Sequence, residues 1–155
     1  MRAIDAVVPA SVAALIAYAL VGCGRRSAPA VLASPTRTPG VLSAEVTQAT
    51  IGATICTHGW TATVRPPTSY TAVLKLRQMA EYGEAGSPTA YQEDHLSSLE
   101  LGGDPTDPRN LWPEPYPRAS QVDRIENELN AQVCAGSLSL TEAQRRESAL
   151  KHDYG

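Results

Sequence analysis

The apolar positions of this chain form one unbroken block, then a sparse stretch, then a series of short periodic runs. The block runs from Ala6 to Leu20, interrupted by Pro9. Residues 24–42 (GRRSAPAVLASPTRTPGVL) are rich in Pro, Ser, Ala and Thr, a composition that builds no core and reads as a tether. The folded part is expected to begin near Ser43. Val46 to Cys56 starts as a short helical turn, and Thr61 to Arg65 is β-prone. Pro66-Pro67 ends that run, because neither residue has an N–H to give to a ladder. Between Ala72 and Tyr82, the positions Val73, Leu76, Met79 and Ala80 share a helical face, with Thr71 as N-cap and Gly83 as stop.

From Tyr91 onward the periodicity loosens. Leu96, Leu99 and Leu101 do not alternate cleanly, which predicts a strand or irregular ribbon ending at Gly102-Gly103. Asp104 to Arg109 is loop, with Pro105 and Pro108 breaking regular structure. Asn110-Leu111-Trp112 then returns as a very short strand, closed by Pro113, Pro115 and Pro117. Ser120, with Asp123 three residues on, predicts a capped helix whose apolar stripe is Val122, Ile125, Leu129 and Val133, stopped by Gly136. Thr141 and Gln144 open a last helix whose composition predicts only slight burial. The whole reads as a small α+β domain over residues 43–150.

Composition narrows this picture. The chain of 155 residues is 43% hydrophobic but 5% aromatic, with no Phe, and much of the apolar content lies in the first thirty residues. The core of the remaining domain is therefore small, and a covalent staple would help it. A formal net charge of −3 advertises no broad basic surface for nucleic acid, and leaves a local Arg/Lys patch open. The apolar block, preceded by Arg2, is short and Ala-rich for a membrane span and reads as an export signal over residues 1–22. Leu20-Val21-Gly22-Cys23 resembles a bacterial lipobox, so Cys23 is the expected lipidation site and membrane anchor; an ordinary secretory signal or a short anchor is the alternative. Export leaves Cys56 and Cys134 as an even pair in an oxidising compartment, which predicts a disulfide. A zinc site is the rival, but neither cysteine belongs to a CxxC pair.

The candidate chemistry converges on Tyr91 to Pro113, YQEDHLSSLELGGDPTDPRNLWP. Asp94 and Asn110 offer oxygen ligands for a hard divalent cation, and His95 offers a neutral base. The span from His95 to Asn110 accommodates a strand, a turn and a return strand, followed by the helix after Ser120. With Asp-His on the first strand, Gly102-Gly103 in the turn and Asn-Leu on the second, the chain resembles the HNH endonucleases and their ββα-metal unit. The resemblance implies phosphodiester hydrolysis of DNA or RNA with a divalent metal, Mg2+ suiting the ligands best. In that scheme His95 is the general base, Asp94 a metal ligand, and Asn110 either orients the histidine or sits by the metal. Family members usually carry a His or Asn on the following helix as a further ligand; here Asp123, Glu126 and Asn127 are available, and Asp123 is the nearest. Arg109 is the expected phosphate contact, while Val122 stands where such proteins carry Lys or Arg.

Other readings stand beside this one. Asp123 also suits a capping role for Ser120, Asn110 a turn, and Arg109 an ion pair with Asp107. Trp112 is expected in the core, His58 on the surface and His152 in a frayed tail. The alternative function is a non-catalytic exported lipoprotein that keeps an HNH-like scaffold for binding or envelope structure. A Ser/His hydrolase has little behind it, since no GxSxG elbow is present.

Overall fold

A computed structural model describes residues 32–154. The expected export signal and the lipid site Cys23 lie outside the described residues. At the centre is an antiparallel hairpin of β1 (Tyr91–His95) and β2 (Leu111–Pro115), with Asp94 opposite Trp112 and His95 opposite Leu111. Because this sheet has two strands, both are edges, and β2 tolerates Pro113 and Pro115 without losing a second ladder. Alternation along β1 turns Gln92 and Asp94 towards one side and Glu93 towards the other. Around the hairpin stand α1 (Trp60–Val64), α2 (Thr68–Tyr82), α3 (Arg118–Cys134) and α4 (Leu140–Asp153). Both α2 and α3 pack on the strands, and α4 packs on α3.

The main apolar cluster joins Val46, Ile55, Leu101, Leu129, Val133, Leu140 and Ala143, with Trp60 at its margin. A smaller cluster of Ala33, Leu96 and Trp112 is flanked by Tyr82. Cys56 and Cys134 are joined, with their Cα atoms 5.5 Å apart. The α+β class and this disulfide are as the sequence leads one to expect.

Several local expectations are corrected. Trp60–Val64 is helical, not a strand. Its β-branched residues have no neighbouring strand to pair with, and β propensity is largely a property of such packing. Helix α2 starts at Thr68, directly after Pro67, so Thr71 is interior. Its buried side chains are Leu74, Gln78 and Met79, whereas Val73 (71% exposed) and Leu76 (57% exposed) face solvent. The ribbon expected to end at Gly102-Gly103 stops being a strand at His95, and Leu99–Leu101 forms a single 3-10 turn. Leu96, Leu99 and Leu101 are all buried, which explains their lack of alternation. Helix α3 begins at Arg118, leaving Ser120 inside it rather than at its cap. The last helix is capped by Ser139, whose hydroxyl accepts from the Glu142 N–H at 3.3 Å. It is far from superficial: Leu140, Ala143, Glu147 and Lys151 form a buried stripe at helical spacing.

The domain also starts about ten residues earlier than the composition of residues 24–42 indicates. Ala33 and Thr38 are buried, and Leu42 bridges to Gly103. Main-chain bonds from Ala33 to Lys151, from Gly40 to Arg109 and from Asp104 to Val41 tie this segment to α4 and to the hairpin loop. Few large apolar side chains are involved, so hydropathy does not register it. His152, expected in a frayed tail, lies in α4 with Nε2 against the Thr38 carbonyl at 3.0 Å.

The disulfide closes a loop of 78 residues around a small core. Replacing Cys56 and Cys134 by Ala is expected to lower unfolding free energy by about 4 kcal/mol, the chain-entropy value for such a loop. Urea denaturation of the double variant beside the oxidised wild type measures it.

Candidate functional site

Where β1 ends, the chain leaves the sheet and places Asp94 and His95 against α3. Asp123 and Glu126, one turn apart on α3, face them, and oxygens of Asp94, Asp123 and Glu126 lie within 4.8 Å of one another. These carboxylates, His95, Gln92, Ser98, Glu100 and Arg65 line a cavity of about 300 Å³. The Gln92 side-chain amide spans the cluster, donating to Asp94 Oδ1 at 3.3 Å and Asp123 Oδ1 at 3.1 Å.

His95 is buried, with Nε2 3.1 Å from the Pro105 carbonyl oxygen. A carbonyl only accepts, so Nε2 carries the proton and Nδ1 is the basic nitrogen of the neutral ring. Burial pushes the imidazole below its ordinary value, against the opposing pull of the Pro105 bond and of Asp94. The ring is thus neutral at neutral pH, the state a general base requires.

Asn110 does something other than either role expected of it. Its side chain, 0% exposed, accepts from the N–H groups of Ser97 (3.0 Å) and Val41 (3.3 Å) and donates to the carbonyls of Ser97 (3.0 Å) and Asp104 (2.9 Å). That saturates the amide. It touches neither His95 nor the carboxylates; instead it pins the loop that carries Pro105, the partner of His95. Gly103 is part of the same knot: a Cβ there would lie 1.7 Å from the Ser97 carbonyl oxygen.

Arg109, expected to contact phosphate, pairs in an exposed position with Asp107 at 2.6 Å and is not part of the cavity wall. The basic residue on that wall is Arg65, just after α1, which makes no side-chain hydrogen bond or ion pair among the described residues. Asp123 does line the site, as a partner of Gln92 and not of Ser120.

Behind the cavity lies Lys151, with a side chain 0% exposed. Its ammonium reaches Asp94 Oδ2 at 2.8 Å, Glu126 Oε1 at 2.5 Å and the His95 carbonyl, with Glu147 at 3.6 Å. Burial disfavours the ammonium, but the three carboxylates raise its pKa well above the ordinary lysine value. For Asp94, burial is likewise outweighed, by Lys151 and the neighbouring Glu114 carboxyl, and its carboxyl is held below the ordinary range. Glu114, buried and paired with Arg118, is pushed up to about 8 by burial and by the Asp94 carboxylate. Of these two neighbours Asp94 keeps the charge, and Glu114 is pushed towards its neutral form. Burial also raises Glu126 well above its ordinary value.

Three carboxylates around a polar cavity are a donor set that fits a hard divalent cation. Nothing in the oxygens present selects magnesium over manganese. Lys151 and Arg65 were not among the expected site residues, and Glu126 was expected only as an alternative to Asp123. The i, i+3 pairing of Asp123 with Glu126 signals the second carboxylate, and the stripe Leu140, Ala143, Glu147, Lys151 signals a lysine on a buried face. Arg65 has no such signal. No family model matches the chain, and no curated protein or solved structure matches it either.

Two outcomes follow from this geometry. Asn110→Ala strands buried main-chain groups and is expected to cost about 3 kcal/mol or more in unfolding free energy, read by urea denaturation. Glu114 has the second consequence. Its folded pKa of about 8 exceeds the ordinary 4.5, so the folded protein binds the extra proton between these values. The stability it contributes is complete below about pH 4.5 and is lost as pH rises through 8. Glu114→Gln is expected to flatten the decline of melting temperature over that window, in a pH series run beside wild type.

Proposed function

We propose that this chain is an exported, divalent-metal-dependent nuclease of the HNH-like type, hydrolysing phosphodiester bonds of nucleic acid. The observation that carries the reading is a buried, neutral His95 with Nδ1 as its basic nitrogen, on a cavity wall shared with Asp94, Asp123 and Glu126. The order β1, β2, α3 supports a ββα arrangement, with Asp94 and His95 from the first strand and two carboxylates from the helix.

In this reading His95 accepts a proton from water at Nδ1 while its Nε2–H stays on the Pro105 carbonyl, so the ring keeps its orientation as it becomes charged. Asp94 stabilises the imidazolium electrostatically from the neighbouring position. Arg65 supplies the positive charge for a non-bridging phosphate oxygen. Asp94, Asp123 and Glu126 would hold a divalent metal, which when bound supplies Lewis-acid stabilisation of the charge gathering on the phosphate. Asn110 acts from a distance, by fixing the loop that holds His95. A signal peptide and a lipid on Cys23 would place this activity outside the cytoplasm at the membrane surface.

A second reading has its own observation. The Lys151 ammonium already compensates Asp94 and Glu126 from inside, which is what a scaffold that has given up metal chemistry would also show. Digestion of plasmid DNA and of RNA with Mg2+, Mn2+ or EDTA separates the two. The nuclease reading expects metal-dependent cleavage that falls at least a hundredfold in His95→Ala and at least tenfold in Arg65→Ala, with Arg109→Ala close to wild type. Cleavage that survives His95→Ala, or none in wild type, rejects it.

A further inference from the structure

Lys151 has no assignment in that chemistry, and its placement is the strongest unexplained feature of the site. An ammonium offers three N–H donors, and here Asp94, Glu126 and the His95 carbonyl take one each. Two of those three partners are also members of the carboxylate cluster facing the cavity. The lysine therefore occupies the inner side of the same group of oxygens that a divalent ion would use from the cavity side. Glu147 adds a further buried carboxylate whose Oε2 has no hydrogen-bond partner among the described residues, while its Oε1 accepts from the Ser98 N–H at 2.8 Å. The positive charge is covalently fixed to α4, and the packing of that helix through Leu140 and Ala143 keeps it in place.

We propose that Lys151 is a built-in cation that competes with the divalent metal for Asp94 and Glu126, holding the site's metal affinity low. This rests on the reading of Asp94, Asp123 and Glu126 as the metal ligands. Two effects act in the same direction. The ammonium repels a second cation brought to within a few ångströms of it in a poorly solvated place, and it withdraws Asp94 Oδ2 and Glu126 Oε1 from service as free ligands. It also prevents the collapse of the cluster by charge repulsion before any metal arrives, so the protein folds and keeps its shape without one. A site built this way loads its metal weakly, and the negative charge of a phosphate in the cavity becomes part of what retains the ion. Lys151 is then a positioning residue that sets when the metal is held, not a group that touches the substrate.

Calorimetric titration of Mn2+ into the purified protein tests this, with wild type beside Lys151→Met and the charge-balanced double variant Lys151→Met/Glu147→Gln. The double variant removes one positive and one negative charge, leaves the three ligand carboxylates intact, and keeps an oxygen for the Ser98 N–H. Near-UV circular dichroism in EDTA establishes that it is folded. The expected result is Mn2+ binding at least tenfold tighter in the double variant than in wild type. Thermal unfolding of both variants is expected to rise more with millimolar Mn2+ than that of wild type, which keeps the test open if Lys151→Met alone is only marginally folded. Equal or weaker Mn2+ binding in the double variant overturns the competition. Absence of Mn2+ binding in all three proteins overturns instead the carboxylate site on which it rests.

Discussion

The contact between Lys151 and Asp94 joins the last helix to the end of the first strand, and much of the site depends on it. Through one ammonium, α4 is bound to β1 by Asp94 and the His95 carbonyl, and to α3 by Glu126. Removing one partner from such a buried group typically costs about 3–5 kcal/mol, because the remaining charge is left without solvent or counter-charge. This contact also decides the protonation of its surroundings. Asp94 stays ionised beside the ammonium, while burial, helped by the Asp94 carboxylate, pushes Glu114 and Glu126 towards their neutral forms against the pull of Lys151.

A second constraint acts on the main chain. Asn110 closes the loop between the strands by bonding to the backbone of Ser97, Asp104 and Val41. Gly103 permits it, since no side chain fits between Ser97 and the Asn110 amide. The loop held this way presents the Pro105 carbonyl to His95 and fixes the tautomer of the ring. Asn110 thus serves the histidine without touching it, and its importance lies in the rigidity of what surrounds the base.

The cavity is unusual in its balance of charge. Its walls carry Asp94, Glu100, Asp123 and Glu126 against one guanidinium, Arg65. Such a place repels a polyanion unless positive charge is supplied, which is consistent with the net charge of −3 and with the need for a divalent ion in the proposed chemistry. Both the scaffold and the nuclease readings use this same cluster, and they differ in whether its oxygens serve only Lys151 or also a metal.

What the sequence determined by itself was local. Gly102-Gly103, the prolines around Asn110-Leu111-Trp112 and the span between His95 and Asn110 make a hairpin legible, because turn and strand endings follow from the conformational limits of those residues. The period of α3 is legible from its apolar stripe, whereas the burial of α4 was not, and the pairing of Cys56 with Cys134 was legible on the expectation of export. The errors are equally physical: Thr61–Val64 has strand-forming residues but no strand beside it, and residues 33–42 are held by main-chain bonds that hydropathy does not see. Only the tertiary structure decided which charges meet. Asp94 and Lys151 are 57 residues apart, and Arg65 reaches the cavity from just after α1 with no sequence mark of function. Periodicity says which face of an element is buried, but the partner of a buried charge is set by how those faces pack, and that information is not local.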